Sequence, residues 1–214
     1  MQTIIVANFE ASFGTRNATL KEIIMEIKAE LPDQDDLMPL RIWPASHPCC
    51  LSDDELSAQC DLRTQRRSGP GGQHRNKTSS GVFLLHRITG VTAEATERRS
   101  QAENRRVALS RLRMKLAIEV RTASPIAGEI AAEDKKQRER LHVRKLRVAK
   151  EHADYPILMA MVLNDLYISG GQPSLASIPW SVGSSAMVRL LKSYPPSLIF
   201  VNEVRNHHDR LPLK

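Results

Sequence analysis

Apolar residues recur at helical spacing in several parts of the chain. In residues 19–31 they share one face, and a Thr-x-x-Glu capping box stands at the start of the segment, so an amphipathic helix is predicted. A Ser-x-x-Glu box at Ser100 predicts a longer helix, with Leu109, Leu112, Leu116 and Val120 on one face and Arg105, Arg106, Arg113 and Lys115 on the other. Proline and paired serines mark the starts of three further helices, predicted over residues 156–168, 185–194 and 197–207.

Strand-like segments precede the long helix. TIIV (3–6) and DLRTQR (61–66) each predict a short strand, and VFLLH (82–86) and VTAEAT (91–96) predict a hairpin turned at Gly90. A strand, a glycine-rich loop, a hairpin and a covering helix make a small α+β unit. We therefore predict an α+β fold with a short mixed or antiparallel sheet packed by a long helix, plus a small C-terminal helical unit.

Changes in composition divide the chain into four predicted parts. They are an N-terminal extension (1–44), the α+β domain (45–121), a basic linker or helix (122–152) and a small helical domain (153–214). Met38 opens a stretch of different character, so it is an alternative start that would leave residues 1–37 without a role in the main activity.

Charge is distributed unevenly along the chain. The formal net charge is +7, yet residues 1–60 hold four Lys or Arg and ten Asp or Glu, a net of −6, so residues 61–214 carry +13. This excess indicates a polyanionic partner such as nucleic acid, although a solvated basic surface is the other interpretation. No apolar run reaches the roughly 18 residues of a membrane span, and the leading segment does not resemble a secretory signal. We expect no membrane association.

Cysteine usage favours a cytoplasmic protein without a metal. The chain has three cysteines, and an odd count suits a reducing compartment better than a disulfide framework. His47, Cys49, Cys50 and Cys60 match a zinc site only weakly, because their spacing is irregular. We expect neither a metal nor a cofactor.

The most informative segment is GPGGQHRNKT, residues 69–78. Its glycines permit positive φ and close backbone approach, and the imidazole, guanidinium, amide and ammonium groups that follow can grip phosphate or ribose. A Walker loop fails here because Asn76 precedes the Lys-Thr pair. A GxxG clamp of the KH type and a plain glycine turn remain alternatives. No residue orients His74 as a base toward Ser68 or Ser79, so a catalytic dyad is not evident.

RRSGPGGQHRNKT, SSGVFLLHRITGV and ERRSQAENRRVALSRLR together resemble the GGQ domain of class I peptide chain release factors. Over residues 47–118 the segments are most similar to the small codon-independent rescue hydrolases of stalled ribosomes. The resemblance implies hydrolysis of the peptidyl-tRNA ester in the peptidyl-transferase centre of the large subunit, with ribosomal RNA as a further partner and a glutamine methyltransferase acting on Gln73.

The resemblance also implies residue roles. Gly71 and Gly72 would shape the tip, and the Gln73 N–H would donate to the developing oxyanion or the leaving 3′ oxygen while its side chain leaves room for water. The implied RNA contacts are His74, Arg75, Asn76 and Lys77. Ser100, Gln101 and Asn104 match the helix-start pattern of the family, where they brace the domain or touch RNA.

Basic residues outside the glycine-rich segment are further candidates for RNA contact. On the long helix they are Arg105 and Arg106, and in the basic run 135–150 they are Lys135, Lys136, Arg144 and Lys145. A solvated helix face is the other interpretation of the run. The second Gly-Gly-Gln, Gly170 to Gln172, follows an apolar helix, precedes Pro173 and lacks a cationic cluster, so we predict a helix cap.

Release factors that decode stop codons carry an extra domain and tripeptide signatures such as Ser-Pro-Phe or Pro-x-Thr. The nearest match here is Ser124-Pro125-Ile126, which lies in the predicted linker. We therefore expect an enzyme that rescues stalled ribosomes without reading a codon. The alternative is a non-catalytic ribosome- or RNA-binding factor with a release-factor-like fold.

Overall fold

The structure is a computed structural model, and it describes residues 30–66 and 80–214. The predicted strand 3–6, nearly all of the predicted helix 19–31 and the first Gly-Gly-Gln lie outside these ranges. The described residues are mixed α/β with seven α-helices and a small antiparallel sheet, which confirms the predicted α+β class. They form two compact units, one of residues 48–120 and one of residues 30–47 with 121–214.

The elements are as follows in chain order. The strands are β1 (Ile42–Trp43), β2 (Cys60–Gln65), β3 (Gly81–His86), β4 (Thr92–Ala95) and β5 (Arg121–Thr122). The helices are α1 (Asp53–Ala58), α2 (Gln101–Glu119), α3 (Ala132–His142), α4 (Tyr155–Ile168), α5 (Pro173–Ala176), α6 (Ser184–Ser193) and α7 (Pro195–His207). Short 3-10 turns occur at Gln34–Asp36, Pro48–Cys50 and Ile178–Trp180.

The unit of residues 48–120 is a three-stranded antiparallel sheet packed by α2. The strand order is β2-β3-β4, and β3 and β4 form the predicted hairpin with Gly90 at φ +77. Helix α2 packs on β3 and β4, and its predicted face of Leu109, Leu112, Leu116 and Val120 is buried. The Ser100 hydroxyl accepts a hydrogen bond from the Glu103 N–H, as expected of an N-cap.

Two features of this unit differ from expectation. Helix α1 was not predicted, although Ser52 and Glu55 form a reciprocal capping box at its start. Arg113, placed on the solvent face of α2 by its spacing, is instead only 11% exposed. Its guanidinium donates to the carbonyls of Cys49 and Leu51 and pairs with Asp53. The cation therefore satisfies the carbonyls of a turn and is not available to bind a partner.

The other unit is built around helix α4. All fourteen residues of α4 are buried, including Asn164 and Asp165, so the helix is surrounded on every side, as expected of a central core helix. The helices predicted over 156–168, 185–194 and 197–207 are confirmed as α4, α6 and α7. Strands β1 and β5 pair in parallel, with Ile42 opposite Arg121. The core of this unit includes Leu158, Val162, Leu166, Leu190, Leu191, Phe200 and Val201, all buried, whereas Leu198 is half-buried.

A buried polar network fixes α3 to α4. Arg138 forms two hydrogen bonds of 2.8 Å to the Asp165 carboxylate, which also accepts from the Ser124 hydroxyl and the Trp180 indole N–H. Arg138 also lies over the Trp180 ring. A buried charge is tolerated only when it is paired and hydrogen-bonded, and these contacts meet that condition. Arg138 is thus a structural member of the basic run.

The second Gly-Gly-Gln ends helix α4. Gly170 and Gly171 have φ +59 and +70, and the Gly171 N–H donates to the Leu166 carbonyl at 2.7 Å. The Gly170 N–H donates to the Tyr167 carbonyl, which completes a Schellman motif. The predicted role as a helix cap is confirmed. A Cβ at Gly171 would overlap the side chain of Arg205, so glycine is required there for space as well as for φ.

Candidate functional site

The first Gly-Gly-Gln lies in the connection between β2 and β3. Gly71, Gly72, Gln73, His74, Arg75, Asn76 and Lys77 all fall outside the described residues. The two ends of this connection are described, because Gln65 at the end of β2 pairs with Gly81 at the start of β3. An antiparallel ladder brings both ends of its connection to one end of the sheet. The described ends of the connection, Gln65 and Gly81, therefore lie side by side.

Asn104 ties the returning end of this connection to helix α2. The side chain is fully buried, and its amide nitrogen donates to the carbonyls of Ser80 (2.6 Å) and Arg98 (2.9 Å). The amide oxygen accepts from the Arg98 N–H at 2.9 Å. Three backbone groups on two segments thus depend on a single side chain. Of the two roles that the sequence left open for Asn104, these contacts support bracing.

Gly81 lies directly beside this brace. A Cβ built on Gly81 would stand 3.2 Å from the Gln65 carbonyl oxygen and 3.2 Å from a methyl carbon of Thr96. A side chain at Gly81 would therefore require these neighbours to shift by a few tenths of an ångström. Asn104 and Gly81 together define where the chain emerges from the glycine-rich segment. The tie between Asn104 and Ser80 has no local sequence signal, because the two residues are 24 positions apart.

The first turns of α2 present the predicted cations. Gln101, Arg105 and Arg106 are exposed. The two arginines directly follow the buried Asn104 in the helix. The connection from β4 into α2 is held by Glu97, which pairs with Arg111. Backbone N–H groups of Thr96 and Glu97, with Arg111, lower the pKa of Glu97 to about 2. The connection that leads into α2 is therefore held by backbone hydrogen bonds to Glu97 and by the Glu97–Arg111 ion pair.

His86 is a structural histidine at the other end of β3. It is fully buried, with Nε2 3.0 Å from the Gln59 amide oxygen and Nδ1 2.7 Å from the Thr89 hydroxyl. A neutral ring protonated at Nε2 donates to the first group and accepts from the second. Burial, with the charge of Arg87, lowers the pKa of His86 and favours that neutral form. The ring braces the hairpin.

The basic run separates into structural and exposed cations. Arg138 is buried against Asp165, and Arg140 donates to both carboxylate oxygens of Asp154 at 2.7 Å. Contacts with Arg140, opposed in part by burial, lower the pKa of Asp154. The predicted RNA-contacting residues Lys135, Lys136, Arg144 and Lys145 are all exposed. Helix α3 ends at His142, and Lys145 has a left-handed backbone with φ +46.

Residues 30–66 and 80–214 contain neither a metal-binding cluster nor a membrane-spanning helix. No three His, Cys, Asp or Glu side chains of residues 30–66 and 80–214 are grouped to hold a metal ion. The thiols of Cys49 and Cys60 instead donate to the carbonyls of Arg113 and Leu56, each at 3.1 Å. Among the helices of these ranges, none has the length and apolar character needed to cross a membrane.

The fold and the site together define a small α+β domain that holds a Gly-Gly-Gln segment between two paired strands. A family model described as RF-1 domain matches residues 55–154. The chain therefore contains the GGQ-bearing domain of the peptide chain release factors. Domains of this family act on the ribosome and on peptidyl-tRNA, and the match supports release-factor-like peptidyl-tRNA hydrolysis at the level of the family.

Proposed function

We propose that this protein hydrolyses the ester of peptidyl-tRNA in the peptidyl-transferase centre of stalled ribosomes without reading a stop codon. The RF-1 domain match supports the class of reaction, which is hydrolysis of peptidyl-tRNA. The proposal of rescue rests on the sequence of residues 1–214, which contains neither Ser-Pro-Phe nor Pro-x-Thr, the tripeptide signatures of decoding factors. The cysteine count favours a cytoplasmic site of action.

The proposed reaction is attack of a water molecule on the ester carbonyl, which releases the peptide acid and the 3′ hydroxyl of the tRNA. Gly71 and Gly72 would let the tip enter a narrow cavity, and the Gln73 N–H would donate to the oxygen on which negative charge develops. The ribosome would supply the rest of the cavity, so placement of water suffices without a nucleophile on the protein. Methylation of Gln73 by a glutamine methyltransferase is part of the proposal.

RNA contacts would hold the tip in place. His74, Arg75, Asn76 and Lys77 would grip RNA beside the tip, and the exposed Arg105 and Arg106 would extend this cationic surface along α2. Lys135, Lys136, Arg144 and Lys145 would bind ribosomal RNA through the basic run. Asn104 would act on the reaction indirectly as a positioning residue, because it fixes the point at which the chain returns from the tip.

The test is release of labelled peptide from ribosomes stalled on a message without a stop codon, compared with ribosomes that hold a stop codon. We expect release from the former by the wild type, and a loss of about 100-fold or more in Gly72→Ala, in line with loss of an oxyanion donor. Gly128→Ala is the matched control, since a Cβ there meets no atom within 4 Å. Ribosome binding without release by the wild type would favour the non-catalytic alternative.

A further inference from the structure

A cationic groove lies among the C-terminal helices, apart from the RF-1 match. It has a volume of about 640 Å³ and is lined by Ser174, Ser184, Ser185, Arg189, Lys192 and Arg205 together with three apolar residues. Among the described residues that line it there is no Asp or Glu. A groove with three cations, three hydroxyl groups and no acid favours an anionic ligand.

Helix α6 presents most of this surface on one face. Ser185, Arg189 and Lys192 follow one another at intervals of four and three residues, so their side chains share a side of the helix. The opposite side, with Met187, Leu190 and Leu191, is buried in the core. Both cations are exposed, and neither forms an ion pair with another residue in the part of the chain that the structure describes.

The remaining walls of the groove are held by hydrogen bonds. Arg205 donates to the carbonyls of Gly171 (2.7 Å) and Leu211 (2.6 Å), which fixes its guanidinium against the cap of α4. The terminal segment is tied to α7, because Leu213 and Asn202 exchange two hydrogen bonds. Burial and the nearby charge of Arg210 lower the pKa of Arg205. Hydrogen bonds therefore hold the walls of the groove, and its cationic lining favours an anion.

We propose that this groove binds phosphodiester groups of RNA, a contact separate from the glycine-rich tip and the basic run. Arginine, lysine and serine side chains commonly contact phosphate oxygens, and the described lining of this groove holds three cations and no Asp or Glu. The choice of RNA rests on the proposed function. The contact would add a further RNA-binding surface to the tip and the basic run.

The proposal is tested with a fluorescein-labelled RNA duplex of about 20 base pairs and the full chain, over a range of salt. We expect Arg189→Gln/Lys192→Gln to weaken binding and to reduce the slope of log K against log salt by roughly 1.5–2, about one counterion for each lost phosphate contact. Glutamine keeps a good helix propensity, so α6 should persist, as circular dichroism would show. Arg189→Lys should retain most of the slope.

Arg87→Gln/Arg111→Gln is the matched control. It removes the same charge, but from exposed ion pairs with Asp61 and Glu97. An unchanged slope in the groove variant would overturn the proposal, as would equal losses in the control. Weaker binding of polyglutamate with RNA binding unchanged would also overturn it. Because the binding assay requires no catalysis, a wild type that binds through the groove but releases no peptide would refute only the proposed hydrolysis.

Discussion

Replacing Asn104 with alanine removes three hydrogen bonds from one place in the RF-1 domain. The bonds join α2 to the carbonyl of Ser80 and to both backbone groups of Arg98. At roughly 0.5–1.5 kcal/mol for each bond, the loss in the free energy of unfolding is about 2–4 kcal/mol. A domain with about 5–15 kcal/mol of stability remains folded after such a loss, so activity can still be measured.

The effect on the reaction should exceed the effect on folding. Ser80 lies two residues after the segment GPGGQHRNKT in the sequence, so we expect that loss of its tie to Asn104 would perturb the proposed catalytic tip. A displacement of about 1 Å at a reacting group can cost up to about 100-fold in rate, and we expect kcat for release to fall at least 10-fold with KM little changed. Single-turnover release at a temperature well below the melting transition, beside urea unfolding of the same variant, measures both quantities.

Asn164→Ala is a matched control for this experiment. Asn164 is also a buried asparagine, and it exchanges hydrogen bonds with Thr122 in the other compact unit. It should lower stability by a similar amount and leave kcat for release near that of the wild type. The reasoning about Asn104 is refuted if Asn104→Ala loses stability but keeps its kcat, or if Asn164→Ala loses kcat equally.

Three further changes test the described contacts. Gly171→Ala should lower the free energy of unfolding by about 2 kcal/mol or more, because alanine is strained at positive φ and its Cβ would overlap Arg205. The control Gln172→Ala should change it by under about 0.5 kcal/mol. Urea unfolding compares the two variants. Asp165→Asn should cost about 3–5 kcal/mol because Arg138 keeps a buried charge without its partner, which thermal unfolding will show. Because the pKa of Glu97 falls from 4.5 to about 2 on folding, its carboxylate should stabilise the fold fully above pH 4.5 and lose that contribution as the pH falls toward 2. Glu97→Gln should therefore flatten the dependence of the free energy of unfolding on pH across this window.

The sequence predicted those elements whose signals are local. The hairpin follows from β-rich runs around Gly90, and α2 follows from its cap and its leucine spacing. By contrast, β1 and β5 have two residues each and pair across a long stretch of chain, so neither carries a readable pattern. Helix α1 was missed because only Leu56 in it is buried, even though its capping box stands in the sequence.

The candidate site shows the same division between local and distant information. The glycine-rich motif was identified from adjacent letters, and its assigned roles remain predictions. The role of Asn104 stayed open because its partner Ser80 lies 24 residues away. Arg138 looked like any other cation of the basic run, because its partner Asp165 lies 27 residues further along. Burial of a charged side chain depends on a distant counter-charge, and spacing within one helix does not reveal it.

The pairing of β1 with β5 has a consequence for the order in which the protein matures. Residues emerge from the ribosome N-terminal end first, so the unit of residues 48–120 has its complete sequence before β5 is made. Strand β1 cannot pair until Arg121–Thr122 has been made, and the core of this unit cannot form until α4 follows. The unit of residues 48–120 can thus fold during synthesis before the other unit, which cannot close until β5 and α4 have been made.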